Sequence, residues 1–404
     1  MTQVELKNAP VPDPRGPVPV APVITNKDLG RQFWLDAYGK EVQSAATYSY
    51  MWMADQAGHM GIGILLHFAF TPIFAHLPQA IGLGNFFATP LMSALAGFIA
   101  TALIVCYWEW SAYSADVKHA TGAQFPLQVP LLKANAIVAS GYMVLGGAIG
   151  WALHLGWQTS VPIVAIIGFI AVMMARPWLR QKIIWQKAAL PYLSRLADMR
   201  PNMPDPVAVA LWKLICAPLP PVGPPQAVVI AGTLGSGRSA MACGIGTEFA
   251  FRKASVRYIS FSDLIELAQA GDFELTTPAP GPSNIGYWPW SQAQVLIIDD
   301  IGPLVDNSHH GAAHGPTLGL DKVLDDCLGK ARAVLGGRHT VWILGASDDG
   351  SFADVEHAAA TIGTFLGVAE PLPILLTRPK DPITPPQSVR VPGGAHHIRL
   401  RIDA

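Results

Sequence analysis

The residues with the clearest chemical signal lie between 227 and 240, where an apolar run leads into a glycine-rich segment, AVVIAGTLGSGRSA. Gly232, Gly237 and Ser239 have the spacing of a Walker A phosphate loop, although Arg238 stands where that motif has lysine. In such a loop, backbone N–H groups surround a phosphate and the following helix directs its positive end toward it. The segment therefore predicts binding of ATP or ADP through Gly232, Leu234, Gly235, Ser236, Gly237, Arg238, Ser239 and Ala240.

A second chemical signal is the acidic pair that ends the apolar run VLIIDDIG at 295–302. This pattern is typical of a Walker B strand, which delivers one carboxylate to Mg²⁺ and a second acid that orients water beside the γ-phosphate. The structural alternative is a strand that merely ends in a polar turn. We predict Mg²⁺ held by Ser239 and Asp299, with Asp300 as a catalytic residue.

Short β-rich runs alternate with helical ones around these residues, at 227–231, 255–260, 294–299, 340–345 and 372–376. Such alternation predicts a parallel sheet with helices on both faces. The fourth run leads to Ser347. The predicted fold of residues 227–378 is an α/β P-loop NTPase domain, a parallel sheet sandwiched by helices.

The stretch from the phosphate loop through YISFSDLI to VLIIDDIG resembles the insertion-sequence helper and DnaC-type helicase-loader ATPases, a clade of the AAA+ superfamily. The resemblance covers about residues 227–350 and implies a five-stranded ASCE-type core, ATP with Mg²⁺ and oligomers in which a neighbour donates an arginine finger. It also implies a polar sensor residue between the two motifs, and for this reason we predict Ser347 as a second catalytic residue. DNA loading is not carried over, because the rest of the chain is outside the pattern.

Three departures from the family pattern predict weak or absent hydrolysis. The Arg238 guanidinium is planar and bulkier than the ammonium group it replaces. Residues 351–377 contain neither Arg nor Lys, so they supply no finger, a group worth on the order of 10³-fold in rate. After the fifth strand, a proline-rich tail at 379–404 replaces the expected helical lid.

The composition points to a membrane protein, since 51% of the 404 residues are hydrophobic and only 14% are charged. Four apolar runs, at about 58–77, 88–110, 136–157 and 160–179, approach the ~20 residues that a helix needs to cross a bilayer. They predict a multi-pass α-helical membrane region. A formal net charge of −1 gives no strong signal for nucleic acid.

Loop charges predict that both termini are cytoplasmic, in the inner membrane. Residues 78–87 and 158–160 lack Lys and Arg, whereas the opposite ends of the spans carry Lys118, Lys133, Arg176, Arg180, Lys182 and Lys187. The middles of the spans hold no Asp, Glu, Lys or Arg, which favours an anchor over a carrier. His67 and His154 are interpreted as packing residues, and the glycines of GYMVLGGAIG predict close helix contact.

The remaining segments carry weaker signals. Residues 1–26 are proline-rich and predict a disordered or partner-binding arm, while 27–57 suit an interfacial helix or a soluble helix packed on the domain behind it. Residues 180–226 predict a basic helix and a proline-rich linker, with the domain boundary at 227. The cluster His309, His310 and His314 lacks a carboxylate or cysteine to complete a metal site, so we interpret it as a solvated loop.

Two functional hypotheses follow. The first is a nucleotide-binding subunit of a larger membrane assembly with weak or no turnover, whose partners are the membrane and other protein subunits, including further copies of this chain. The alternative is an active membrane-anchored AAA+-type ATPase that drives or gates a complex of the secretion or conjugation type. A gated channel or carrier is disfavoured by the uncharged spans.

Overall fold

The computed structural model describes residues 19–37, 44–80, 89–123, 129–191, 193–199, 203–271, 286–303, 319–345 and 351–376. The helices within these ranges are α1 (Asn26–Ala37), α2 (Ser44–Ala80), α3 (Pro90–Ala123), α4 (Val129–Ala152), α5 (Trp157–Gln186), α6 (Leu196–Met199), α7 (Asp205–Cys216), α8 (Arg238–Phe251), α9 (Phe261–Ala270), α10 (Leu320–Leu328), α11 (Arg332–Gly336) and α12 (Phe352–Leu366). The strands are β1 (Ala227–Gly232), β2 (Val256–Ser260), β3 (Val295–Pro303), β4 (His339–Gly345) and β5 (Leu372–Leu376).

Helices α2 to α5 contain four segments long and apolar enough to cross a membrane, as predicted. These are Asp55–His76, Pro90–Lys118, Leu132–Ala152 and Trp157–Gln186. Helix α4, which contains the third of these segments, ends at Ala152. The turn from α4 to α5 therefore precedes the predicted position at 158–160. The sequence predicted the positions of these segments because each is a long run of apolar residues. The exact ends of the helices depend instead on the geometry of the turns between them.

Glycines allow α2, α3 and α4 to pack closely, which confirms the predicted helix contact. A Cβ added to Gly63 would lie 1.9 Å from the Met143 carbonyl oxygen, and one added to Gly146 would lie 2.1 Å from that of Met60. Larger side chains at these positions would force α2 and α4 apart. Helix α5 packs on α4, where the Tyr142 hydroxyl donates to the Ala171 carbonyl at 2.8 Å.

His67 is fully buried between α2 and α4, as the packing interpretation predicted. The centroid of its ring lies 5.4 Å from that of the His154 ring. A Cβ added to Gly150 would lie 2.5 Å from Cδ2 of His67. The Thr71 hydroxyl lies 3.4 Å from His67 Nε2. These contacts place the histidine in a helix interface.

Helix α5 is longer than a helix needs to be to cross a membrane. Its 30 residues extend about 45 Å at 1.5 Å per residue, whereas the hydrocarbon layer is about 30 Å thick. The last turn buries Ile184 and Trp185 in a hydrophobic cluster with the α/β domain. The predicted basic helix after residue 180 is therefore the continuation of the fourth span.

The five strands form one parallel sheet in the order β2-β3-β4-β1-β5. All five lie at or within a few residues of the predicted runs, and helices cover both faces, as predicted. Residues of α8 pack on one face, and residues of α9, α10, α11 and α12 pack on the other. Because β1 and β4 are buried on both sides, they read as continuous apolar runs.

The core of the α/β domain begins before the boundary predicted at 227. Leu196, Leu211 and Ile215 are nearly inaccessible to solvent and share one hydrophobic cluster with Val228 and Phe249. The proline-rich segment 217–226 therefore connects two parts of the same core. The proline content predicted a linker there, because proline breaks helices. The limit of a domain is instead set by which residues pack into its core.

Residues 19–25, part of the predicted arm, contact the α/β domain. The Val20 N–H donates to the Gln292 carbonyl at 3.0 Å, and the Ser255 hydroxyl donates to the Val20 carbonyl at 2.8 Å. Helix α1 follows and lies against α5, where Arg176 donates to Asn26 Oδ1 at 2.6 Å. Residues 1–18 and the tail at 379–404 lie outside the described residues.

A buried histidine at the start of β4 predicts a pH-dependent stability. His339 Nδ1 accepts the Gln226 N–H at 3.1 Å, and burial lowers the pKa of His339 to about 4. An unfolded histidine titrates near pH 6.5, so the unfolded state binds more protons between about pH 6.5 and 4. Stability should fall as the pH is lowered through this window, by about 3 kcal/mol in total.

The measurement is the thermal midpoint of the purified full chain between pH 4 and 7. His339→Gln is the comparison, because an amide does not titrate there. Parallel pH profiles for the two proteins would contradict the assignment.

Candidate functional site

The predicted phosphate loop joins β1 to α8 through two left-handed glycines. Gly235 has φ +82° and Gly237 has φ +84°, a backbone region that residues with a Cβ rarely adopt. A Cβ on Gly232 would lie 2.3 Å from Ser236 Oγ, so the loop also closes tightly over the end of β1. The glycine spacing in the sequence therefore corresponds to backbone conformations that require glycine.

The loop lies at a point where the chain leaves the sheet in opposite directions. Strands β1 and β4 are neighbours, with Gly232 opposite Gly345. The chain continues from β1 to α8 on one face, whereas α12, which follows β4, packs on the other. In open parallel sheets, such divergence at the carboxyl ends of adjacent strands leaves a crevice in which ligands bind.

The guanidinium group of Arg238 bridges the two strands that border this crevice. Its Nη1 donates to the Gly232 carbonyl at 2.5 Å and lies 3.4 Å from the Leu344 carbonyl oxygen. The side chain is half-buried. A cation is therefore held at the mouth of the loop by the carbonyl ends of β1 and β4.

Two hydroxyl groups in the loop are buried without a hydrogen-bond partner among the described residues. They are Thr233 Oγ1 and Ser236 Oγ. Buried hydroxyls normally find a partner, and an unsatisfied one costs about 1–3 kcal/mol. A phosphate in the loop would supply acceptors for both groups, so the residues present fit the predicted ligand.

Strand β3 presents the acidic pair in two different environments. Asp299 is 3% exposed, and its Oδ1 accepts the Asp300 N–H at 2.7 Å. Asp300 is exposed and has φ +63°, because the pairing of β3 with β4 is irregular between Ile298 and Ile301. The first carboxylate is therefore buried and the second is exposed.

Tyr258 of β2 is a site residue that sequence reasoning missed. Its hydroxyl donates a short hydrogen bond to Asp299 Oδ2. Burial, together with this bond, raises the pKa of Tyr258 above its usual value. The signal that could have found it is register, since Ser260 pairs with Asp299 and Tyr258 lies two residues earlier on the same face.

The predicted site residues that the structure describes converge on the carboxyl end of the sheet. The loop residues 232–240 follow β1, Asp299 and Asp300 lie on β3, and β4 lies between these two strands. Ser347 and the cluster His309, His310 and His314 lie outside the described residues. Within the described ranges, no three His, Cys, Asp or Glu side chains are grouped to hold a metal ion by themselves.

The extension of α5 contacts the helix and one of the strands that carry the predicted site residues. Trp185 Nε1 lies 3.3 Å from Thr247 Oγ1 of α8, and Gln181 donates to the Phe251 carbonyl at 3.2 Å. Just beyond α5, the Ala188 carbonyl accepts the Tyr258 N–H at 2.8 Å. The fourth apolar helix therefore leads directly to α8 and to the strand that holds Tyr258.

The carboxyl end of the parallel sheet thus carries a glycine-rich loop, a cation that bridges two strands and a buried carboxylate. The α/β domain that contains this sheet packs on the end of α5, the last of the four apolar helices. In a comparison with known proteins, the chain matches no family model, and no curated protein is significantly similar to it.

Proposed function

We propose that the protein is a membrane-anchored, nucleotide-binding subunit of a larger membrane assembly, with weak or no hydrolysis. The observation that carries the proposal is the loop at 232–239, with two left-handed glycines and two unsatisfied hydroxyls beside the bridging cation Arg238. Backbone N–H groups and a fixed cation in a sheet crevice are suited to the phosphates of ATP or ADP. The domain is proposed to be a P-loop NTPase of the AAA+ type, as its resemblance to helicase loaders implies.

Different residues of the site would contact different parts of the bound nucleotide and its metal ion. The loop N–H groups, Thr233 and Ser236 would contact the β-phosphate, and Arg238 would balance its charge. Ser239 and Asp299 would hold Mg²⁺, which when bound neutralises negative charge on the phosphates. Because Ser239 lies in the first turn of α8, the positive end of that helix supports the same anion.

The geometry also supports weak turnover. The hydrogen bonds of Arg238 to backbone carbonyls hold its guanidinium at the strand ends, and both oxygens of Asp299 already accept hydrogen bonds. Asp299 must exchange the Tyr258 hydroxyl for the metal before it can serve in hydrolysis. Asp300 is exposed at the irregular part of β3, so it is poorly placed to orient water.

The proposed location is the inner membrane, with both termini on the cytoplasmic side. This orientation is supported by the basic residues at the ends of the spans that face the α/β domain. The proposed partners are other subunits of the membrane assembly, including further copies of this chain. Exposed apolar residues on the helices provide the surface for lipid and for such contacts.

The experiment is phosphate release and retained nucleotide in detergent-purified protein, for the wild type, Arg238→Lys and Asp299→Asn. We expect wild type to retain ATP or ADP with almost no release, and Arg238→Lys to gain release because the compact ammonium can leave the carbonyls for the phosphates. Asp325→Asn, an exposed acid on α10, is the matched control for Asp299→Asn. Absence of any retained or added nucleotide at the loop would contradict the proposal.

The alternative, an active ATPase, is favoured by one observation. Helix α8 contacts α5 directly, so movement of the phosphate loop during turnover would reach the membrane through a continuous helix. Steady phosphate release from wild type that Asp299→Asn abolishes, and Asp325→Asn does not, would establish the alternative and overturn weak turnover.

A further inference from the structure

The membrane helices contain a groove that their own packing leaves open. It lies between α3, α4 and α5 and has a cavity volume of about 500 Å³. One stripe of α4 forms its floor, from Lys133 through Ile137 and Gly141 to Leu145. Trp110 of α3 and Met174 of α5 form its walls.

The length of the groove along α4 is close to the thickness of one leaflet of a bilayer. Lys133 and Leu145 are separated by about 18 Å along α4 at 1.5 Å per residue, and half of the hydrocarbon layer is about 15 Å. A helix from a partner protein would need a surface of about 30 Å to cross beside this one. The groove therefore suits an acyl chain better than a spanning helix.

The two ends of the groove differ in polarity. The deep end is lined by Val144 and Leu145, whereas the other end carries the exposed cation of Lys133. Trp110 and Tyr113, whose rings are 5.4 Å apart, line the same groove and are the residue types enriched at membrane interfaces. This polarity matches a lipid with an anionic headgroup.

The basic end faces the side of the α/β domain. Gly141 of α4 is level with Met174 of α5, because a Cβ at Gly141 would lie 2.4 Å from Met174 Cε. The two helices are joined by a short turn and run in opposite directions, so Lys133 and the end of α5 point to the same side. That side is the one from which α5 enters the α/β domain.

We propose that this groove binds one glycerophospholipid with an anionic headgroup, with its phosphate at Lys133 and an acyl chain along Ile137, Gly141 and Leu145. Lys133 supplies the selectivity for charge, and Ile137 and Leu145 supply apolar contacts for the chain. The site is independent of nucleotide binding. A near-surface lysine favours an anionic lipid by about fivefold.

The test is native mass spectrometry of the full chain after exchange into detergent with equal amounts of phosphatidylglycerol and phosphatidylcholine of identical chains. We expect phosphatidylglycerol to be retained about fivefold over phosphatidylcholine in the wild type. Lys133→Gln should remove the preference, whereas Lys118→Gln, a lysine of α3 outside the groove, should keep it.

A second pair of variants tests the groove itself. Ala136→Trp fills it and should remove retention of both lipids, whereas Val161→Trp, on an exposed part of α5, should not. Equal retention of the two lipids by wild type, or a preference that survives Lys133→Gln, would overturn the proposal. A dimer that Ala136→Trp dissociates would also overturn it, because a second copy of the chain would then occupy the groove.

Discussion

Replacing Gly237 with valine is expected to lower the affinity for ATP or ADP about 100-fold. Gly237 has φ +84°, and holding a residue with a Cβ there costs on the order of 1–3 kcal/mol, with β-branched residues at the upper end. No atom from elsewhere in the structure lies within 4 Å of the position of a Cβ, so the cost arises from the backbone conformation and not from a clash with a packed neighbour. The loop would relax to another conformation and turn its N–H groups away from the phosphate.

The measurement is competition with a fluorescent ATP analogue on the purified full chain. Gly329→Val is the matched control, since Gly329 is also exposed and free of neighbours but has φ −52°. The control should bind as the wild type does. Unchanged affinity in Gly237→Val would show that the loop does not hold the ligand in this conformation, and with it the proposed site would be lost.

Replacing Arg338 with methionine is expected to destabilise the α/β domain by about 3–5 kcal/mol. The guanidinium is 1% exposed and donates to the carbonyls of Val334, Trp290 and Ala293. Burial lowers the pKa of Arg338 to about 9, so the side chain is still a cation at neutral pH. Methionine is similarly long but leaves the three buried carbonyls without this donor.

The measurement is the thermal midpoint from tryptophan fluorescence, which should fall by roughly 10 °C. Arg332→Met is the matched control, because Arg332 also donates to two carbonyls, those of Thr364 and Phe365, but is exposed. Water can replace the guanidinium there, so the expected loss is below about 1 kcal/mol. Equal effects of the two variants would contradict the importance of burial.

The two predictions concern opposite ends of the sheet and should separate binding from folding. Gly237 follows β1 at the carboxyl end, whereas Arg338 precedes β4 at the amino end. Arg338→Met that remains folded at low temperature should therefore bind nucleotide normally. Gly237→Val should unfold close to the wild-type temperature while binding poorly.

The coarse architecture was predictable because its signals are local in the sequence. Apolar runs of sufficient length marked the four spans, and short apolar runs between helical segments marked the five parallel strands. The positions of Gly235 and Gly237 also follow from local chemistry, since left-handed backbone needs glycine. Nucleotide binding itself stays a prediction that the experiments above decide.

What the sequence by itself determined is therefore the set of elements and the phosphate-loop hypothesis, both of which depend on neighbouring residues. Only the tertiary structure decided that Arg238 bridges β1 and β4, that Tyr258 binds Asp299, and that Leu211 and Ile215 belong to the same core as β1. These contacts join residues far apart in the chain, and no local pattern specifies which strand or helix will be the neighbour. From the sequence alone, the loop is a predicted phosphate site with one unusual residue, Arg238. The tertiary structure shows that this arginine is already hydrogen-bonded to the carbonyl ends of two strands of the sheet.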